Sequence, residues 1–312
     1  IICISLILVE GISQVWWFQI ENCDFEKSDI FSDINLEMKK QVCVESFQFK
    51  TSKNVNNQEN IDEKNYKQFG KLSIPIEKSE NTYRIFILGG EISQERNSSD
   101  ETIPQILKEK FSSFELNIEI FNMAKAGSWS RVESNLIESN LLQFKPDLFV
   151  IYNGHMDASS HGEWTEPIQV EERWDESTDN SQKVIQNWID RWKNVCEIGK
   201  QENFDTMIAI QPMIGSSDRK ISENEKKYFE EIKDQNYLKR LEMYSNALIH
   251  LDGSCSQTID LRHSFDRIDE QIYTTSKGGL GSLGKNIIAE KLYEKILPII
   301  KKSFPEIKQN VI

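Results

Sequence analysis

The chain has 312 residues, 38% of them hydrophobic, and a formal net charge of -13 at pH 7. That length can bury a sizeable core in one domain with appendages. The charge excludes nucleic acid and anionic membrane surfaces as partners held by bulk electrostatics.

Ile1 to Ile20 reads IICISLILVEGISQVWWFQI, apolar apart from Glu10, Gln14 and Gln19, with Trp16 and Trp17 near one end. About 20 apolar residues span a bilayer, and tryptophans favour its interface. Residues 1–20 are therefore expected to form a transmembrane anchor, truncated because no initiator Met precedes it. A trimmed signal peptide and a buried amphipathic helix are the competing readings. Residues 21–70 are expected as an acidic juxtamembrane segment and flexible linker, since 51–68 (TSKNVNNQENIDEKNYKQ) are almost without apolar side chains. Residues 71–304 would form the ordered domain and 305–312 a tail. With an anchor in front, the domain is expected outside the cytoplasm.

Of five cysteines, Cys3 lies in the apolar segment, and Cys23, Cys43, Cys196 and Cys255 form an even set without CxxC spacing. A structural zinc site is not expected. The favoured pairing is Cys23–Cys43 and Cys196–Cys255; four cysteines allow three arrangements, and unpaired thiols in a reducing compartment are the alternative. The sequon Asn97-Ser98-Ser99 fits an exterior location.

Within the domain, strands and helices alternate. Arg84–Leu88, Asn117–Asn122, Asp147–Tyr152, Thr206–Gln211 and Thr258–Leu261 are apolar or β-branched runs, hence strands. Apolar residues at helical spacing predict helices over 100–111, 132–144, 182–200, 223–248 and 283–301. Trp188 and Trp192, one turn apart, are expected in the core. The alternation predicts an α/β fold, a three-layer α/β/α sandwich around a five-stranded parallel sheet of flavodoxin-like type, with its site at the loops leaving the strand carboxyl ends.

Three loops carry the motifs: Gly89-Gly90-Glu91-Ile92-Ser93 after the first strand, Asn122 to Ser130 after the second, and Tyr152-Asn153-Gly154-His155-Met156-Asp157 after the third. Together with Pro146-Asp147, Gln211-Pro212, and Gly284 with Ile287-Ile288-Ala289, they resemble the SGNH (GDSL-type) hydrolases, a family of esterases, lipases and acyl hydrolases, over roughly residues 83–298. With the anchor, the chain looks most like membrane-anchored archaeal or bacterial members.

The resemblance implies a serine nucleophile, an aspartate–histidine pair three residues apart, and an oxyanion site of a glycine N–H and an asparagine amide. Carried over by position, the nucleophile is Glu91, the oxyanion glycine is Gly127, and the oxyanion asparagine is Met156. The histidine is Gly279 and its aspartate Ser276; a one-residue gap moves these to Gly278 and Thr275. Serine, asparagine, histidine and aspartate are thus all replaced, and the glycine run Lys277–Gly281 is expected to be flexible. The expectation is a carboxylic-ester hydrolase relative that is catalytically impaired and binds a ligand through the old cleft, with Gly90, Gly154, His155 and Asp157 lining it. An acylated lipid or glycan is the expected ligand, and no cofactor is implied.

Two active alternatives are weighed. One is an esterase with a rearranged serine site, using Ser93 or His263. The other is a metal site of Glu91, His155 and Asp157, since two carboxylates and an imidazole can hold a divalent ion. His155 packing beside Tyr152, and His263 and the acidic insertion 158–180 as solvated surface, are the plainer readings.

Overall fold

The computed structural model describes residues 66–69, 72–90, 102–125, 127–159, 174, 180–232, 234, 236–276 and 278–307. The apolar segment 1–20, Cys23, Cys43, Glu91, Ser93 and the sequon at Asn97 lie outside them. Among the described residues no helix is long and apolar enough to cross a membrane. The chain divides into two compact units, 1–76 with 162–173, and 77–161 with 174–312. What is described of the first is an antiparallel hairpin of β1 (Tyr66–Phe69) and β2 (Leu72–Pro75), with Tyr66 opposite Pro75.

The second unit is built on a five-stranded, wholly parallel sheet. Its strands are β3 (Thr82–Gly89), β4 (Asn117–Asn122), β5 (Leu148–Asn153), β6 (Asp205–Ile210) and β7 (Gln257–Asp260), in the order β4-β3-β5-β6-β7. All eight residues of β3 and all six of β5 are buried, as central strands covered on both faces require. Register places Phe121 and Phe149 beside Phe86, and their rings lie 5.3 and 5.6 Å from it. The expected fold and the five expected strands are present.

The helices are α1 (Ile103–Phe111), α2 (Ser130–Leu136), α3 (His155–Ala158), α4 (Ser181–Glu202), α5 (Glu223–Glu231), α6 (Tyr237–Ala247) and α7 (Ser282–Ser303). Parallel crossovers are right-handed, so the step from β3 out to β4 and the steps back through β5, β6 and β7 put their helices on opposite faces. The contacts agree: α1 packs on α7, while α2 and α6 pack on α4. Adjacent β3 and β5 thus send their chains to opposite faces, which opens a crevice between their carboxyl ends.

Several boundaries depart from expectation for local reasons. Thr102 starts α1 with a capping box to Gln105. The helix over 132–144 begins at Ser130 and continues past Leu136 as a π turn (Ile137–Leu141) and a 3-10 turn (Leu142–Phe144). The single helix expected over 223–248 is two. Asp234 accepts a bond from the Asn236 N–H, so the chain turns there before α6. Cys196 in α4 is disulfide-bonded to Cys255, which precedes β7, as expected; their Cα atoms are 4.9 Å apart. Trp188 and Trp192 are core residues, 1% and 0% exposed.

Arg84, inside β3, is wholly buried. A buried guanidinium must be fully bonded. Here it donates to the Glu119 carboxylate (2.7 Å) and to the carbonyls of Phe144 (2.6 Å) and Glu77 (3.2 Å).

Candidate functional site

The three motif loops meet at the β3–β5 crevice. A Cβ built on Gly90, just past β3, would lie 3.1 Å from the Met156 Cγ and 3.4 Å from the Ser128 carbonyl. Residues after β3, β4 and β5 therefore approach one another at one point, and a side chain in place of Gly90 would need its neighbours to give by a few tenths of an ångström. Gly127 has φ +78, which favours glycine, and its missing side chain would point into open space. Among the described residues no acceptor meets its N–H.

Met156, at the position where an oxyanion donor is expected after β5, lies against Gly90. A neutral sulfur offers no N–H to a developing oxyanion. Glu91, the nucleophile position, lies outside the described residues. Gly154 opens α3 at φ +119, and a Cβ built on it would lie 3.1 Å from the Leu241 side chain and 3.4 Å from that of Ile210.

Behind the crevice lies a buried polar cluster. Asp157, 8% exposed, accepts from the Ser130 hydroxyl and, at 3.2 and 3.3 Å, from the Ser130 N–H. Arg191 from α4 donates to the same hydroxyl (2.8 Å) and covers the Trp129 ring. The Asp157 carbonyl accepts from Trp174 Nε1 (2.8 Å) and the Tyr244 hydroxyl (3.1 Å). Asp157 therefore positions the loops rather than presenting its carboxylate at the opening. Asn153, the last residue of β5, donates to Glu133 of α2 at 2.7 Å. Burial, then the charge of Asp157, push the Glu133 carboxyl up to about 8, against hydrogen bonds from Asn153 and Ser128 that lower it.

His155 Nδ1 lies 2.6 Å from the hydroxyl of the buried Tyr237, and the two rings meet edge to face. Of the metal trio Glu91, His155 and Asp157, the two described members are bonded to different partners.

The segment at the expected histidine is a hydrogen-bonded hairpin rather than a loose glycine run. Tyr273 bridges Leu280, Gly281 donates to the Ile272 carbonyl (2.8 Å), and Thr274 to that of Gly279 (2.8 Å). The Gly279 N–H bonds the Thr275 hydroxyl (3.0 Å), and a Cβ on Gly279 would lie 2.8 Å from that oxygen. A histidine there would have to displace Thr275. Ser276 sits at the turn, and Glu225 holds the hairpin's base through the N–H groups of Ile272 and Tyr273, both 2.9 Å. His263 is half exposed beside Asp266 (3.1 Å), and with Asp218 these form an exposed trio whose ligand atoms lie within 4.8 Å of one another.

Glu133, Asn153, Ser130 and Arg191 were not singled out from the sequence. The one readable signal was Arg191, a charge set between Trp188 and Trp192 on the stripe of α4.

No family model matches the chain, and no curated protein matches it in sequence. Solved structures do. The acetylxylan esterase Axe2 from Geobacillus stearothermophilus is 12% identical over 69% of this chain and 94% of its own, with a TM-score of 0.50. The acetyl xylan esterase AlAXEase is 16% identical over 68% and 99%, TM-score 0.49. A lipase/acylhydrolase from Enterococcus faecalis is 12% identical over 74% and 100%, TM-score 0.48. At such identities the likeness is one of fold, and the fold is that of the SGNH hydrolases.

Proposed function

We propose that this SGNH-fold domain is a catalytically impaired relative of the ester hydrolases that binds an acylated glycan or lipid in the β3–β5 crevice. It would do so outside the cytoplasm, tethered to a membrane by residues 1–20. The observation that carries this reading is the Met156 side chain packed on Gly90, where acyl transfer needs an amide donor. Gly279, with no side chain and its N–H bonded to Thr275, supports it: no base stands at the expected position. What the crevice would keep is the Gly127 N–H, which meets no acceptor among the described residues and suits an acyl oxygen that is held but not attacked.

Acetylated glycans are the first probes to try, because proteins sharing the fold are described as acetylxylan esterases. Calorimetric titration with acetylated xylo-oligosaccharides, and with the same sugars deacetylated, tests the reading. The acetylated form is expected to bind and to be recovered intact. Gly127→Ala is expected to weaken binding at least tenfold, roughly 1.4 kcal/mol, because the added methyl enters the open space and strains the left-handed backbone. Equal affinity for both sugars, or release of acetate, would contradict it.

A further inference from the structure

The Glu133–Asn153 contact leaves two atoms unsatisfied. Glu133 is 1% exposed, and so is Asn153. Asn153 Nδ2 donates to one Glu133 oxygen at 2.7 Å. Glu133 Oε1 and Asn153 Oδ1 have no hydrogen-bond partner among the described residues. Both are acceptors if the carboxyl is ionised, and two buried acceptors without a donor are costly. One proton resolves both at once. Placed on Oε1, it turns that oxygen into a donor for the amide oxygen of the side chain whose nitrogen already bonds Oε2.

We propose that Glu133 and Asn153 form a proton-dependent latch, an acid–amide ring of two hydrogen bonds that ties the first turn of α2 to the end of β5 and loses its O–H···O bond when Glu133 ionises. The surroundings favour the protonated form. From α3 the Asp157 carboxylate faces the same cluster and repels a second negative charge. From α4 comes Arg191, whose described bond is to Ser130 rather than to Glu133. Ser128, in the loop that carries Gly127, and Asn153 of β5 complete the shell; each hydrogen-bonds the carboxyl and lowers its pKa, but neither brings a charge or offsets the burial. Burial pushes the carboxyl up to about 8, so the ring is closed at neutral pH.

The latch lies one layer behind the crevice. Ser128 touches the Gly90 position through its carbonyl, and Gly127 precedes it. Opening the ring would therefore loosen the part of the rim assigned above to the ligand, although the latch stands without that assignment.

The sign follows from linkage. Between the ordinary glutamate value of 4.5 and about 8 the folded chain holds a proton that the unfolded chain has lost, so stability falls as pH rises through that window and is level above it. Thermal melts of the whole chain from pH 5 to 9 should show a decline on the order of 10 °C. Glu133→Gln keeps both bonds with no titrating group, so it should flatten this part of the profile and match or exceed the unmodified protein at pH 8.5. Infrared difference spectra of the unmodified protein give a readout independent of any variant: a protonated carboxyl band that disappears with a midpoint near 8. A flat profile that Glu133→Gln leaves unchanged, or no such band, would overturn the latch. Loss of acetylated-sugar binding with the band intact would instead count against the proposed ligand.

Discussion

Glu225→Ala is expected to destabilise the domain by about 3–5 kcal/mol, the range found when one partner of a buried ion pair is removed. Glu225 is 0% exposed, and its carboxylate accepts from the Arg219 guanidinium, the Ser222 N–H (2.8 Å) and the Ile272 and Tyr273 N–H groups (2.9 Å each). Burial alone would raise its pKa, but the bonds from Tyr273, Ser222, Ile272 and Arg219 more than offset that and bring it to about 2. Its contribution is therefore complete above 4.5 and drains away as pH falls toward 2. Alanine leaves Arg219 buried without its anion, removes the side-chain half of the capping box that starts α5, and frees the base of the 272–281 hairpin. Chemical denaturation at pH 7 checks the size, and hydrogen exchange should show Ile272 and Tyr273 losing protection first. A loss under 1 kcal/mol would mean that Glu225 does not hold the hairpin.

Replacing Cys196 and Cys255 by serine is expected to lower stability by about 4 kcal/mol. The bond joins positions 59 residues apart, tying the middle of α4 to the turn that leads into β7, an edge strand. Cross-linking restricts the unfolded chain more as the loop lengthens. Treating the unmodified protein with a reductant should reproduce the deficit and leave the serine variant unaffected. Equal stability of all three would show that the thiols are not joined in the protein.

The sheet was legible because β3 and β5 are covered on both faces and so appear as unbroken apolar runs. Once the strands are placed, the residues that follow β3 and β5 must come together, as Gly90 and Met156 do. Side-chain partners were not. The bonds of Arg84 reach Glu119 and Phe144, 35 and 60 residues away, and nothing local marks it as buried. Glu133 looks like a solvated helix charge until Asp157 and Asn153 are folded against it. His155 bonds Tyr237, which arrives from α6, 82 residues on. The break before α6 was hidden because its cause is one side chain, Asp234, competing for a backbone N–H within a run that otherwise keeps helical spacing.

We propose that this domain does not carry out serine acyl transfer. Losing a nucleophile or base costs on the order of 10⁶ in kcat in a serine hydrolase. The most direct test is incubation of the purified chain with a fluorophosphonate probe, read by intact mass and peptide mapping, beside p-nitrophenyl acetate turnover. The account predicts no adduct and no hydrolysis above the buffer rate. A single stoichiometric adduct on one hydroxyl, at Ser128 or at Ser93 for example, with turnover abolished by its alanine variant, would contradict it.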